Sequence, residues 1–357
     1  MRIVHVVGTR PNFVKMAPVI AAARERFGPA SNVVVHTGQH YDTAMSDIFF
    51  EELGVPKPDH MLGVGSGSHA EQAARVLERL EPVLREVRPD LVLVPGDVNS
   101  SMAAALCAAR VGVPLGHVES GLRSFDRGMP EEINRIVIDH LSEFCFLHSE
   151  EAQGNLADEG VPAGRARFVG NTMIDTLVAL EERIRSREAA SALGLLPGSY
   201  LLVTLHRPAL VDGPLLREAM TALAAVAQDL PVVFPVHPRT RARLAGLGFG
   251  GDDGISLAEP VGYLDFLSLE AEAAGVLTDS GGIQEETTYL GIPCFTLRDN
   301  TERPVTVRAG TNTLMGLDPA RIAEIPSRLA GARRSPQSPP LWDGKAARRI
   351  ADVIAGW

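Results

Sequence analysis

Short apolar runs alternate along the chain with longer segments in which apolar residues recur every three or four positions. Runs of the first kind are typical of buried strands and segments of the second kind of amphipathic helices, so their alternation predicts a parallel sheet flanked by helices. In the first half, strands are predicted at residues 3–7, 33–37, 91–95, 115–119 and 143–147. Helices are predicted at residues 13–26, 44–53, 69–87, 101–111, 131–141 and 150–159.

The pattern starts again after residue 170, with an amphipathic helix at 173–187. Strands are then predicted at residues 200–205, 232–235, 255–257, 274–278 and 293–296. The expected fold is therefore α/β, with two Rossmann-like domains, residues 1–169 and 170–343, that face each other across a cleft. The last helix, in residues 344–357, is expected to pack back on the first domain. Ligands of such sheets bind beyond the carboxyl ends of the strands, so the cleft is the expected site.

Composition narrows the class of protein. The chain has 357 residues, a net charge of −10 and no basic tract, which argues against nucleic acid as a partner. No apolar run approaches the roughly 20 residues of a membrane span, and the first residues lack a signal-peptide layout, so a cytoplasmic protein without membrane contact is expected. The chain has three cysteines, Cys107, Cys145 and Cys294, which lie far apart. An odd number at such spacing indicates small apolar residues rather than a disulfide or zinc framework.

One stretch, TDSGGIQEETTY at residues 278–289, follows a predicted strand and turns on two glycines into a predicted helix. A helix N-terminus presents unpaired backbone N–H groups and the positive end of the helix dipole, which suit a phosphate. Gly281, Gly282 and the hydroxyl group of Ser280 are therefore candidate phosphate ligands. Glu286, about one turn further on, is a candidate partner for the hydroxyl groups of a ribose. The alternative is an ordinary connection between a strand and a helix.

Two strand ends in the first half carry charged candidates. Arg10 and Lys15 lie at the start of the helix after the first strand, where cations suit an anionic ligand. The alternative is a solvated helix start. Asp97 ends the apolar run LVLVPGD and is expected to point into the cleft. The alternative is that Asp97 caps the helix predicted to begin near Ser101.

A third strand ends in His117 and Glu119, and strict alternation places both side chains on one face of the sheet. A metal site is a poor interpretation because no third ligand stands at suitable spacing, so a hydrogen-bonded core His117 is preferred. Glu131 lies in the first turn of the next helix, where acidic residues also occur for dipole reasons. Asp97, Glu119 and Glu131 nevertheless all follow strand ends on one side of a sheet. Carboxylates on two sides of a sugar carbon are what proton removal and return require.

The second half adds candidates of a less specific kind. His206 ends a strand and is interpreted either as a ligand of a phosphate or leaving group or as a structural histidine. His237 ends the next strand in the same manner. Phe266 is interpreted either as a contact of a nucleotide base or as a core aromatic residue. Arg303 follows a strand and offers a further cation, or else it marks a capped helix start.

The chain contains nine motifs in this order: GTRPNFVK, HTGQH, PGDVNS, HVESGLRS, MPEEINR, TLHRP, PVHPRTR, TDSGGIQEE and RDNTERP. Together they resemble the motifs of the non-hydrolysing UDP-N-acetylglucosamine 2-epimerases, from residue 2 to residue 316. The resemblance implies a type-B glycosyltransferase-like fold, a homodimer, and neither metal nor cofactor. It also implies a reaction in which UDP is eliminated from the UDP-sugar to give a 2-acetamidoglucal. UDP then adds back while C2 is protonated on the opposite face.

Position by position, the resemblance implies roles for particular residues. The implied catalytic residues are Asp97, Glu119, Glu131 and His206. The implied substrate ligands are Arg10, Lys15, Arg135, His206, Phe266, Ser280, Gly281, Gly282, Glu286 and Arg303. Gln39 and His237 would suit a second nucleotide-sugar molecule that acts as an activator.

Residues 36–58 and 124–127 also resemble a branch of the family that includes epimerases of UDP-2,3-diacetamido-glucuronic acid. The leading hypothesis is an epimerase that forms UDP-N-acetylmannosamine from UDP-N-acetylglucosamine for a surface polysaccharide. The alternatives are an epimerase of the diacetamido uronic acid, a hydrolysing 2-epimerase and a type-B glycosyltransferase. A non-catalytic sensor of nucleotide sugars is disfavoured by the cluster of carboxylates.

Overall fold

The computed structural model describes residues 1–38, 52–236, 238–249, 254–331 and 338–357. The chain divides into two compact units, one of Met1–Ala179 with Pro340–Trp357 and the other of Leu180–Pro339. Each unit is built on its own parallel sheet. Across the ranges just given, none of the helices combines the length and the apolar character that a membrane crossing requires.

In the first unit, the described residues form seven parallel strands with helices between them. The strands are β1 (Ile3–Val7), β2 (Asn32–His36), β3 (His60–Met61), β4 (Leu91–Pro95), β5 (Leu115–Ser120), β6 (Phe144–Leu147) and β7 (Ala166–Phe168). The helices are α1 (Arg10–Phe27), α2 (His69–Val87), α3 (Asn99–Val111), α4 (Pro130–Leu141), α5 (Glu151–Asp158) and α6 (Thr172–Arg185). Every residue of β1 and β4 is buried, which is why both strands are continuous apolar runs in the sequence.

The strand order of this sheet is β3-β2-β1-β4-β5-β6-β7. The order reverses between β1 and β4, which pair in parallel although β2 and β3 separate them along the chain. A crevice opens at such a reversal, beyond the carboxyl ends of the two strands. The residues that follow β1, β4 and β5 therefore come to one edge of the sheet, and the first group of candidate residues lies among them.

The second unit repeats this plan, with six parallel strands in the part of it that the structure describes. They are β8 (Leu201–Thr204), β9 (Val232–Pro235), β10 (Ile255–Ala258), β11 (Gly275–Thr278), β12 (Cys294–Thr296) and β13 (Asn312–Leu314). The helices are α7 (Ala189–Ala192), α8 (Pro208–Val211), α9 (Leu215–Val226), α10 (Pro238–Gly246), α11 (Tyr263–Glu272), α12 (Gly281–Leu290), α13 (Pro304–Arg308) and α14 (Ile325–Gly331). The strand order is β10-β9-β8-β11-β12-β13, so the reversal lies between β8 and β11. It brings His206 and the glycine turn to one edge.

The terminal helix α15 (Ala346–Ala355) belongs to the first unit. The carboxylate of Asp175, in α6, caps the N-terminus of α15. It accepts hydrogen bonds from the backbone N–H groups of Ala346, at 3.1 Å, and Ala347, at 2.7 Å. Because α6 carries this cap, its first half is part of the first unit. The boundary between the units accordingly lies after Ala179, within α6, rather than after residue 169.

All ten predicted strands are present, with small differences at their ends. The prediction misses β3, β7 and β13, which have only two or three residues each and therefore give a weak periodic signal. The helix predicted at 44–53 lies almost entirely outside the described residues. The three cysteines are free and buried, which confirms that they act as small apolar residues rather than as a disulfide framework.

Candidate active site

A buried ion pair lies at the carboxyl edge of the first sheet. Lys15 of α1 donates from its ammonium group to the carboxylate of Glu119 in β5. The two side chains are only 7% and 6% exposed, so water screens their attraction weakly. A Cβ atom at Gly96, just after β4, would lie 3.0 Å from Nζ of Lys15 and 3.2 Å from Oε2 of Glu119. The ion pair therefore packs directly on the backbone of Gly96.

An irregularity in β5 aims the Glu119 side chain. The pairing of β5 with β6 shifts register between Val118 and Ser120, and Glu119 has a φ of +70°, in the left-handed region that is costly for a residue with a Cβ. A bulge of this kind re-aims a side chain. Strict alternation of His117 and Glu119 is therefore wrong. Glu119 contacts Lys15 on α1, whereas His117 contacts α4.

Asp97, which follows Gly96, is held by α4. Nη2 of Arg135 donates to Oδ2 of Asp97 at 2.5 Å, and Nη1 of Arg135 donates to Oε2 of Glu132 at 3.0 Å. The amide group of Asn134 donates to the backbone carbonyl of Asp97 at 2.8 Å. The alternative in which Asp97 caps the next helix is wrong, because that helix begins at Asn99 without a side-chain cap. The carboxylate instead lies in an ion pair at the edge of the sheet.

His117 is a fully buried, hydrogen-bonded residue, which confirms the preferred interpretation. Its Nδ1 lies 2.6 Å from Oδ1 of Asp139 and its Nε2 lies 2.7 Å from the carbonyl oxygen of Gly96, so both ring nitrogens face acceptors. Asp139 also accepts from Ser120, at 2.5 Å, and from Arg123, at 2.8 Å. Burial raises the pKa of Asp139, but His117 and Arg123 outweigh burial and lower that pKa to about 2. The network holds the backbone that carries Gly96 and the bulge.

Glu131 and Arg10 lie at helix N-termini in the same unit. Glu131 is in the first turn of α4 and is half-buried. Within the described part of the chain, no hydrogen bond or ion pair reaches its carboxylate. Arg10 is the first residue of α1 and is exposed. The first unit thus places two of the three predicted carboxylates in ion pairs and leaves the third unpaired.

The glycine turn of the second unit is built around an arginine. Helix α12 begins at Gly281, with Ser280 as the N-cap residue and Gly282 following in the first turn. A Cβ atom at Gly281 would overlap a terminal nitrogen of Arg303, so the guanidinium packs against that backbone. Arg303 is 5% exposed, and its Nε lies 3.0 Å from Oε2 of Glu285. A helix N-terminus beside a guanidinium suits a diphosphate.

His206 follows β8 and is held by Asp279, which follows β11. Oδ2 of Asp279 accepts from the backbone N–H groups of His206, at 2.9 Å, and Arg207, at 2.8 Å, and Oδ1 lies 2.9 Å from Nδ1 of His206. Burial raises the pKa of Asp279, but the hydrogen bonds from these two residues outweigh burial and lower it. The imidazole is 62% exposed, and since Nδ1 faces Asp279, Nε2 lies on the side of the ring away from that carboxylate.

A cluster of buried acids stands behind the glycine turn. Glu286 of α12 is 3% exposed and accepts from the hydroxyl group of Tyr263 at 3.0 Å. The pKa of Glu286 is raised to about 7, chiefly by burial. The hydrogen bond from Tyr263 lowers this pKa, and the charge of Glu285 raises it. Glu270 of α11 is fully buried, and neither of its carboxylate oxygens has a hydrogen-bond partner among the described residues. Burial, together with the charge of Glu286, raises the pKa of Glu270 well above 4.5.

The remaining predicted residues lie in different surroundings. Phe266 of α11 is half-buried and packs against a core cluster that includes Tyr200 and Leu269. Gln39 and His237, the residues expected at an activator site, lie outside the described residues.

Sequence reasoning missed the site residues Glu132, Asp139 and Asp279. Glu132, Arg135 and Asp139 recur at spacings of three and four, so they form a charged stripe along the buried side of α4. Helix α4 also has exposed polar residues on another side, and both sides of one helix cannot face water. This second charged side is a signal in the sequence that could have identified these residues. Asp279 stands between a buried strand and the glycine turn, and this position could have indicated a residue that holds the turn.

Within the described residues, no group of three or more His, Cys, Asp or Glu side chains is placed to hold a metal ion. The fold and the strand-end charges first define a class, the α/β proteins of two Rossmann-like units. The solved structure of a Methanocaldococcus jannaschii UDP-GlcNAc 2-epimerase in complex with UDP-GlcNAc and UDP is similar to this chain. The TM-score is 0.89 and the identity 38%, and the match covers 100% of both chains, which confirms the predicted fold class.

The family model for UDP-N-acetylglucosamine 2-epimerases matches residues 23–355, and this chain belongs to that family. A UDP-N-acetylglucosamine 2-epimerase of Methanococcus maripaludis is 40% identical over 361 residues, which are 98% of this chain and 97% of the relative. A Pseudomonas aeruginosa protein named UDP-2,3-diacetamido-2,3-dideoxy-D-glucuronate 2-epimerase is 39% identical over 360 residues, 99% of each chain. The family predicted from the nine motifs is therefore confirmed.

Proposed function

We propose that this chain is a non-hydrolysing UDP-N-acetylglucosamine 2-epimerase that interconverts UDP-N-acetylglucosamine and UDP-N-acetylmannosamine for surface polysaccharide synthesis. One observation carries the proposal beyond family membership. Two carboxylates at neighbouring strand ends are each paired with a cation from a helix, Asp97 with Arg135 and Glu119 with Lys15. Such pairs hold the carboxylates in place for proton transfer at one carbon atom.

The reaction requires that a proton leave one face of C2 and return to the other. A carboxylate takes the C2 proton, the electron pair of the C–H bond forms the C1=C2 double bond, and the C1–O bond breaks with its electrons on the diphosphate. The intermediates are 2-acetamidoglucal and UDP. In the return step the electron pair of the C1=C2 double bond takes a proton from a carboxylic acid on the opposite face of C2, which leaves a carboxylate, and an oxygen of the UDP diphosphate forms the bond to C1. We assign these proton transfers to Asp97, Glu119 and Glu131.

The second unit holds UDP while the bond to the sugar is broken. We assign the diphosphate to Ser280, Gly281, Gly282 and the guanidinium of Arg303, where a helix dipole and a cation act together. His206, oriented by Asp279, lies at the same edge of the sheet and is positioned to stabilise the departing diphosphate. Glu286 is assigned to the ribose and Phe266 to the uracil. Arg10 of the first unit is assigned as a further UDP ligand.

Proton NMR of the purified protein with UDP-N-acetylglucosamine in deuterated water tests the proposal. The expected result is UDP-N-acetylmannosamine, with deuterium at C2 of both epimers. Asp97→Asn and Glu119→Gln variants that remain folded should lose this exchange, and full epimerisation by both would refute the assignment. Free N-acetylmannosamine with UDP would indicate a hydrolysing enzyme. Transfer of the sugar to an acceptor without change at C2 would indicate a glycosyltransferase.

A second candidate is favoured by the P. aeruginosa relative, whose name specifies a diacetamido glucuronate. In this candidate the same carboxylates act on C2 of UDP-2,3-diacetamido-2,3-dideoxy-D-glucuronate. The same experiment with each sugar nucleotide in turn separates the two substrates, and the larger kcat/KM identifies the substrate.

A homodimer and a cytoplasmic location stay predictions. Light scattering of the purified protein would test the first, since a homodimer has twice the mass of the 38.2 kDa chain. Fractionation of the cells that make the protein would test the second.

A further inference from the structure

The loop between β5 and α4 carries the most exposed large apolar side chain among the described residues. Phe125 is 77% exposed. Its backbone φ is +61°, in the left-handed region where a residue with a Cβ is strained. An aromatic ring in water and a strained backbone are both unfavourable for folding, and their coincidence at one residue points to a contact made with a ligand.

Three hydrogen bonds to a buried carboxylate hold the loop in this conformation. The backbone N–H and hydroxyl groups of Ser124 donate to Oε2 of Glu132, both at 2.8 Å, and the backbone N–H of Phe125 donates to Oε1 at 2.9 Å. Glu132 is 1% exposed, so water does not compete for these bonds. The buried carboxylate of Glu132 thus fixes the strained backbone conformation of Phe125.

Glu132 also connects the loop to the site. It accepts from Arg135, and Arg135 in turn donates to Asp97. A continuous series of hydrogen bonds therefore joins the backbone of Phe125 to a carboxylate that we assign to proton transfer. The loop spans residues 121–129, between the end of β5, which carries Glu119, and the start of α4, which carries Glu131, so along the chain the ring lies between the other two assigned carboxylates.

We propose that Phe125 is a substrate-contact residue whose ring packs against the hexose of the UDP-sugar. This inference rests on the proposed function. A hexose ring presents C–H groups that pack well on an aromatic face, and such packing removes the exposed ring from water. Because the loop and Asp97 share one hydrogen-bonded support, the contact holds C2 in a fixed relation to the carboxylates. UDP alone lacks the hexose and gains nothing from Phe125.

Three variants separate the ring from the strained backbone. Phe125→Ala removes the ring and keeps the Cβ atom and its strain. Phe125→Gly removes both, so this variant should be more stable than the wild type. Arg88→Gly is the matched control, because Arg88 is exposed, has a φ of +48° and lies in the same unit between α2 and the start of β4, away from the carboxyl edge of the sheet.

Both Phe125 variants should lower kcat/KM for the UDP-sugar by about tenfold, which corresponds to about 1.4 kcal/mol of lost transition-state contact. The affinity for UDP, measured by calorimetry, should stay unchanged. Phe125→Gly should melt about 2 °C higher than the wild type, as should Arg88→Gly, which keeps full activity. A variant that is more stable and less active identifies a residue kept for its contact with substrate.

Three results would overturn the inference. Full activity of Phe125→Ala would show that the ring has no contact with the sugar. A parallel loss of UDP affinity would show that the ring acts on another part of the site. A lower melting temperature for Phe125→Gly would show that the ring supports the fold. These outcomes are distinct from failure of the proposed function, in which the wild type itself turns over neither sugar nucleotide.

Discussion

Replacing Gly281 by alanine tests how the diphosphate is held. A Cβ atom at Gly281 would lie 2.9 Å from Cζ of Arg303 and would overlap one of its terminal nitrogens. The guanidinium must therefore move, and it has little room because it is 5% exposed and lies against Glu285. The backbone conformation of Gly281 is not left-handed, so alanine adds no backbone strain. The substitution thus acts on Arg303 while the helix stays intact.

The expected size of the effect follows from the contact that is lost. A hydrogen bond to a charged group contributes roughly 1.5–3 kcal/mol, so displacement of the guanidinium from the diphosphate should weaken UDP binding about 10- to 150-fold. Alanine is also the better helix former, by about 1 kcal/mol, so folding should not limit the measurement.

Calorimetric titration of UDP into four proteins provides the assay: the wild type, Gly281→Ala, Arg303→Ala and the double variant. If the added methyl group acts only through the guanidinium, the double variant should bind UDP as weakly as Arg303→Ala alone. Gly154→Ala is the matched control, because Gly154 lies in α5 and a Cβ atom there would have no neighbour within 4 Å. Its UDP affinity should equal that of the wild type.

Two results would refute the reasoning. Unchanged affinity in Gly281→Ala would mean that Arg303 does not pack on this backbone or does not bind the diphosphate. Full additivity in the double variant would mean that the methyl group strikes the nucleotide itself, because its effect would then not depend on the guanidinium.

Two further predictions concern the buried charges. The pKa of Glu286 is raised to about 7 and that of Glu270 is raised well above 4.5. Between about pH 4.5 and 7 the folded protein therefore binds more protons than the unfolded chain does. The free energy of unfolding is expected to fall as the pH rises through this range. Glu270→Met should reduce this fall and stabilise the protein by about 1–3 kcal/mol at pH 8, measured by urea unfolding; an equal gain at pH 4.5 would contradict the explanation. Gly96→Ala should destabilise the protein by about 1–2 kcal/mol, because Gly96 has a φ of +57°. It should also abolish epimerisation, because the methyl group would meet Lys15 and Glu119, and wild-type turnover would refute this packing.

Among the described residues, apolar runs located each strand of four residues or more, because a strand buried on both faces is a continuous apolar segment in the sequence. The same runs located the strand ends, and Asp97, Glu119, His206 and the glycine turn all follow such ends. Since ligands of doubly wound sheets lie at the carboxyl edge, topology alone indicated where the candidate residues would be found.

Partners of these residues were not predictable from local pattern. Arg135 and Asp97 are 38 positions apart, and Lys15 and Glu119 are 104 positions apart, so their pairing depends on which strands lie side by side. The sequence analysis assumed that side chains alternate strictly along β5. The bulge at Glu119 breaks this alternation, because an extra residue in the strand turns the Glu119 side chain toward α1.

The α/β class, the order of the longer strands and helices, the family, and the residues that follow each of these strands could all be predicted from the sequence. These properties are local, since they depend on the period of apolar positions and on residues close together in the chain. Three further properties are visible only in the folded chain: which charges are paired, which acids behind the glycine turn have a raised pKa, and that Glu132 supports both Asp97 and Phe125. Those properties depend on burial and on distances between segments far apart in the chain, because removal of water decides both the strength of an ion pair and the pKa of a carboxyl group.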